Sequence, residues 1–175
     1  MSKRLLAVLA AGLLAAAPAA VSAQSVSLAG GLALPVSDLK DGADAGYNAA
    51  IGLNFGAPLL PFGARIEGAI NGFNFKNNVN GDVRILNVTA NGIFNLGMPY
   101  LIGGLGYYNR RIKLENLGVS SSDSESAAGI NIGGGIRLPL GTLSPFAEIR
   151  YHAMLGDKDK AANFQFIPIT FGIQF

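Results

Sequence analysis

The chain has no cysteine among its 175 residues. That excludes a disulfide scaffold, a thiolate metal site, a thiol nucleophile and a lipid-modified N-terminal cysteine. Charge is scarce too, at 14% against a usual ~25%, while hydrophobic content is an ordinary 50%. A disordered chain would be polar and highly charged, so disorder is excluded. A common soluble enzyme domain would carry more surface charge. Beyond residue 23 there is no apolar run of the ~20 residues that a membrane helix needs, and no helical periodicity. What the chain has in excess is glycine, 24 residues, about twice the usual share of ~7%.

The first residues read as a targeting segment. Lys3 and Arg4 open the chain, Leu5 to Val21 is apolar or small throughout, and Val21-Ser22-Ala23 offers small side chains before Gln24. A positive start, an apolar stretch and a small-x-small site make a secretory signal over residues 1–23. An uncleaved anchor is the competing reading, and Pro18 with the small-residue exit speaks against it. Cleavage removes Lys3 and Arg4 and leaves eleven basic and eleven acidic side chains. No basic excess remains to attract nucleic acid.

From Gln24 onward, apolar residues alternate every second position between Gly, Pro, Asn and Asp breaks, which is strand periodicity. Eight segments emerge, at 25–34, 46–55, 62–74, 83–94, 99–111, 127–138, 145–155 and 164–175. They are long beside the soluble mode of about 5–6 residues and suit a tilted bilayer-crossing strand of about 9–11. Connections 56–61, 95–98 and 139–144 are short, with few polar side chains. Connections 35–45, 75–82, 112–126 and 156–163 are mostly longer and hold most of the charge. Short turns at one end and longer polar loops at the other predict an all-β, eight-stranded antiparallel up-and-down transmembrane barrel over 24–175. An even strand count returns both chain ends to the short-turn side.

Parity assigns the faces. Ile167, Ile169, Phe171, Ile173 and Phe175 share one face of the last strand, and Ala147, Ile149, Tyr151, Ala153 and Leu155 one face of the seventh. The second and sixth strands behave alike. The fifth is ambiguous, because Tyr100, Leu101, Ile102, Leu105, Tyr107 and Tyr108 fall on both faces. Pro168 removes one ladder bond, so a local bulge is expected there. A soluble barrel would point the apolar face inward. The opposite faces, however, hold Gly, Ala, Ser, Asn and only a few charges, too small and uncharged for a wet exterior. Aromatics also band. Phe55, Phe62, Phe94, Tyr100, Phe146 and Phe175 lie near the short turns, and Tyr47, Phe73, Phe75, Tyr107, Tyr108, Phe164 and Phe166 near the long loops. Two belts are expected of a membrane barrel, whose aromatic rings favour the headgroup level.

The segment from Pro145 to His152, followed by Phe166 to Phe175, resembles the end of small porin-family or opacity-type outer-membrane barrels. In size and layout, residues 25–175 are similar to the OmpA transmembrane domain, OmpX and OmpW. The resemblance implies the outer membrane of a Gram-negative bacterium, a monomer, and surroundings of outer-membrane lipid and lipopolysaccharide. It also implies that Phe175 is the terminal aromatic read by the barrel assembly machinery. No peptidoglycan-binding domain of the OmpA kind is expected, since the chain stops at the last strand.

The lumen face carries Arg65, Glu67, Arg137, Glu148, Arg150 and His152. An eight-stranded barrel has a bore just wide enough for side chains to fill it. Unpaired charge there is costly, so a mutually paired network is expected, with Arg137 held by Glu148 from the adjacent strand. The bland reading is a structural plug; the sharper one is a gated path for small solutes.

His152 is the sole histidine. Outer-membrane lipid A deacylases are also eight-stranded barrels, with a serine two residues after the histidine. Here that position is Met154, which is no nucleophile, and a hydrogen-bonded filler is the plainer role. Arg110, Arg111 and Lys113 cluster where the fifth strand leaves the membrane, as a lipopolysaccharide phosphate contact or as an ordinary solvated rim. Ser120 to Ser126 reads as a mobile loop. Asp157 and Asp159 alternate with lysines and make no calcium site. No residue is assigned to catalysis, a metal or a cofactor. Three readings follow: a non-enzymatic barrel serving envelope integrity or surface interaction through its loops, a narrow passage for small or apolar solutes, and a lipid-modifying enzyme.

Overall fold

The computed structural model describes residues 23–56, 60–76, 81–116, 119–155 and 164–175. They form β1 (Ala23–Val36), α1 (Asp38–Gly42), β2 (Gly46–Gly56), β3 (Phe62–Asn74), β4 (Gly81–Asn95), β5 (Pro99–Asn116), β6 (Val119–Arg137), β7 (Ser144–Leu155) and β8 (Gln165–Gln174). Every strand pairs antiparallel with its sequence neighbours, and β8 returns to β1, so the sheet closes as an eight-stranded barrel with no free edge. The seam is sealed at the short-turn end by reciprocal bonds. Val26 N–H donates to the Phe175 carbonyl at 2.8 Å, and Phe175 N–H to the Val26 carbonyl at 2.9 Å. The expected signal segment lies outside the described residues, save Ala23, the first residue of β1.

All eight expected strands are present. Two loops differ from expectation. Most of 112–126 is strand, since β5 and β6 continue in register to Asn116 opposite Val119. The serine-rich run shows no apolar alternation, and alternation marks strands only where one face is greasy. Residues 35–45 are not all loop either. Helix α1 lies there, with Leu39 and Ala43 buried against the inside of the barrel. The Pro168 bulge does not form. Pairing between β7 and β8 lapses between the Ile149–Ile169 and His152–Phe166 pairs and resumes in the same register. On the other side Ala33 stays opposite Pro168. A single missing donor costs ladder bonds but demands no extra residue.

Parity holds around the ring. Leu28, Leu32, Ile51, Ile66, Val88, Leu105, Ile132, Ile149 and Phe171 are exposed on the outside. Inside, asparagines, Thr89 and paired charges are buried. This inverts a soluble barrel and suits lipid outside. It also resolves β5: Tyr100, Ile102 and Tyr108 face inward, and Leu101, Leu105 and Tyr107 outward.

The two aromatic belts are thinner than expected. Phe73, Tyr100, Tyr108, Phe146 and Phe166 are buried inside, and Phe75 and Phe164 pack against the inner cluster. A strand-end position fixes a ring's depth, but parity fixes whether it meets lipid. What remains on the outer face is Phe62, Phe94 and Phe175, with Phe55 half-buried, at one end, and Tyr47 and Tyr107 at the other. Phe62 and Phe94 pack with their rings tilted by 40°, at 5.1 Å between centroids.

The interior is layered. At the long-loop end Leu39, Phe73, Val83, Ile85, Tyr108, Met154 and Phe166 form an apolar cap with α1. At the short-turn end Ile93, Tyr100 and Ile102 form a smaller cluster. Polar side chains fill the space between.

Candidate functional site

The middle layer is built from two strands half the ring apart. Alternation on β3 turns Arg65 and Glu67 inward, and on β7 Glu148 and Arg150. In a bore this narrow the four meet at the axis. Arg65 Nη1 lies 2.9 Å from Glu148 Oε2 and 3.4 Å from Glu67 Oε2. Arg150 Nε lies 2.8 Å from Glu148 Oε1, and its Nη2 pairs with Glu67 Oε1. Two cations and two anions therefore alternate in a closed ring of zero net charge. All four are nearly wholly buried. Such a ring needs satisfied hydrogen bonds to offset desolvation. Tyr100 donates its hydroxyl to Glu148 Oε2 at 2.6 Å, and Arg65 Nε donates to Asn54 Oδ1 at 2.7 Å.

Arg137 is not part of this ring, contrary to expectation. It donates to Gln174 Oε1 at 2.8 Å and to Asn95 Oδ1 at 2.7 Å, at the short-turn mouth. The register explains it. Glu148 stands opposite Gly135, and Arg137 opposite Phe146, one step nearer the mouth. Tyr100 fills the gap, with its hydroxyl on Glu148 and its ring 5.1 Å from the Arg137 guanidinium.

Sequence reasoning missed Tyr100 because β5 was ambiguous. A signal was present on β6, where the lumen-facing positions include Gly133 and Gly135. A Cβ on Gly135 would sit 2.6 Å from the Tyr100 hydroxyl, and one on Gly133 would sit 2.7 Å from Arg150 Cγ. Glycine at lumen parity marks where a large side chain lies flat on the wall.

Above the ring runs an amide layer. Asn48 donates to Asn71 at 2.7 Å, Asn71 to Asn87 at 3.0 Å, and Asn131 to Asn91 at 2.8 Å. His152 lies deeper toward the apolar cap. Its Nδ1 is 2.9 Å from the Tyr108 hydroxyl, and its ring stacks on Phe166 at 4.9 Å. Among the described residues its hydrogen-bond partner is the Tyr108 phenol, and no serine, threonine or cysteine bonds it as an activated nucleophile would. Among the described residues no cluster of His, Asp and Glu has the shape of a metal site.

The expected phosphate-contact trio divides. Arg110 faces inward, pairs with Glu125 at 2.7 Å and lies 4.0 Å over the Phe164 ring, so it is not free for an external phosphate. Parity alone separates it from its neighbour, for Arg111 is exposed on the outer wall. Lys113 occupies the register position opposite Asp82.

No curated protein matches the chain in sequence. Solved structures do match in fold. Ail, the attachment invasion locus protein of Yersinia pestis, superposes with a TM-score of 0.61 at 19% identity, covering 87% of this chain and 97% of its own. A major outer membrane protein from Thermus thermophilus gives 0.59 at 11% identity, covering 87% and 98%. Neisserial surface protein A gives 0.58 at 14% identity, covering 86% and 95%. Residues 6–175 match the model of the outer membrane protein beta-barrel domain, and the chain belongs to that family of bacterial outer-membrane barrels.

Proposed function

We propose that this protein is a non-conducting, non-enzymatic barrel that serves envelope integrity or surface interaction through its long-loop end. The observation that carries the reading is the Arg65–Glu148–Arg150–Glu67 ring across the bore. It acts as a plug, because ions passing an eight-stranded lumen would have to displace side chains that already fill it. The apolar cap under α1 adds a second seal of low dielectric. His152 is a packed filler between Tyr108 and Phe166 rather than a catalyst. No cofactor is required. The mature chain begins at Gln24 and acts as a monomer, and Phe175 is the signal for the barrel assembly machinery.

Planar-bilayer recording tests the reading. The wild-type barrel is expected to show no steady conductance. Sustained nanosiemens-scale currents would overturn the plug and favour a passage for small solutes.

A further inference from the structure

The outward faces of β4 and β5 change character along their length. On β4 they read Val88, Leu86, Arg84 toward the long-loop end, and on β5 Tyr107, Asn109, Arg111. Register sets Val88 opposite Tyr107, Leu86 opposite Asn109 and Arg84 opposite Arg111. Two exposed arginines thus stand side by side on the outer wall. Like charges directly across a strand pair repel. Asp82 lies 2.8 Å from Arg84 Nε, and half of the Arg84 side chain stays exposed.

Their depth is informative. Arg84 is two residues beyond Leu86, about 7 Å along the strand, and the Arg84–Arg111 pair stands four residues, about 13 Å along the strand, beyond the Val88–Tyr107 pair that marks the aromatic level. That is headgroup depth, where arginine forks suit phosphate. Beneath them lies a groove of about 760 Å³ on the outside of the barrel, lined by Leu86, Val88, Tyr107, Ile51, Ala49 and Gly68 among others, and almost wholly apolar. The wall is low there because Ala49 and Gly68 are small; a Cβ on Gly68 would meet nothing within 4 Å.

A cationic pair at the head of an apolar groove matches an amphiphile with an anionic head. We propose that the outer wall of β4 and β5 seats one lipid A molecule of the outer leaflet, with a phosphate on Arg84 and Arg111 and an acyl chain in the groove. A phosphate monoester, carrying up to two negative charges, neutralises both arginines at once. The more weakly anionic phosphodiester of a zwitterionic phospholipid does so less well. The inference rests on the envelope reading above, but it fails separately. Conductance would sink the plug without touching the lipid seat.

The test is lipid binding by the folded barrel in detergent, read by native mass spectrometry. The probes are lipid A, enzymatically dephosphorylated lipid A and phosphatidylethanolamine. Wild type is expected to bind lipid A at least about tenfold more tightly than either other lipid. Arg84→Gln with Arg111→Gln, and separately Gly68→Phe, should each weaken lipid A binding by about tenfold. Lys40→Gln with Lys76→Gln removes the same charge from the same end, away from the groove, and should leave binding unchanged. Equal wild-type binding of lipid A and its dephosphorylated form overturns the proposal without any variant. So does undiminished lipid A binding by the double arginine variant or by Gly68→Phe.

Discussion

Glu148 on β7 and Arg65 on β3 meet across the barrel axis, Oε2 to Nη1, at 2.9 Å. They are 83 residues apart in sequence, so the contact exists only once the barrel has closed. Glu148 also holds Arg150 and accepts from Tyr100. One carboxylate therefore ties three strands to the middle of the bore.

Replacing that carboxylate strands the most charge. Glu148→Ala would leave Arg65 and Arg150 to share Glu67 alone, and a buried pair broken on one side costs roughly 3–5 kcal/mol. Asn131→Ala removes a neutral partner of Asn91 in the same lumen and should cost on the order of 1 kcal/mol. Equilibrium unfolding by urea in detergent micelles checks the ranking. Equal midpoints and slopes for the two variants would show that the ring carries no special stability.

Tyr100 has two separable roles. Tyr100→Phe keeps the ring beneath Arg137 but deletes the bond to Glu148, at a cost of roughly 1.5–3 kcal/mol for a hydrogen bond to a charged group. The ring contact with Arg137 should survive. In a double-mutant cycle with Arg137→Gln, the coupling should therefore be the same for Tyr and Phe at position 100, and lost with Leu. Loss of coupling in the Phe variant would mean that the hydroxyl, not the ring, holds Arg137.

The barrel was legible in the sequence because one greasy face repeats with period two through β2, β6, β7 and β8. The crossing of β3 and β7 also follows from strand count alone. What was not legible had physical causes. Arg137 and Glu148 sit on adjacent lumen-facing strands, and only the register, with Tyr100 between them, shows that they part. Arg110 and Arg111 look alike in a basic run, yet one residue of parity sends the first to Glu125 and the second to the outer wall. The extension of β5 and β6 lies where neither face need be apolar, so no pattern announces it. Helix α1 is too short for a periodic signal.

The terminal aromatic should matter for assembly. Phe175 is half-exposed on the outer face and makes both backbone bonds that close the β1–β8 seam beside Val26. Deleting Phe175 should lower surface levels more than deleting residues 157–160, which lie outside the described residues. Protease accessibility on intact cells provides the comparison, and equal levels would remove any special role for the residue.

The glycines make opposite predictions on the two faces of the wall. Gly135 faces the lumen. A Cβ there would fall 2.6 Å from the Tyr100 hydroxyl, 2.7 Å from Tyr100 Cζ and 2.5 Å from the Ala147 carbonyl oxygen. The carbonyl belongs to the β7 backbone and cannot swing aside, and moving Tyr100 breaks its bond to Glu148. Gly135→Ala is therefore an overpacking change, costing roughly 1–3 kcal/mol. Gly68 faces outward with nothing within 4 Å of its would-be Cβ. Gly68→Ala restrains only the unfolded chain and should be neutral or stabilising by up to about 1 kcal/mol. Both changes add one methyl group to a strand, so intrinsic propensity cancels in the comparison. Urea midpoints should place Gly135→Ala below wild type and Gly68→Ala at or above it. If Gly135→Ala unfolds at the same midpoint as Gly68→Ala, the lumen is looser than the contact between Tyr100 and the β6 wall requires.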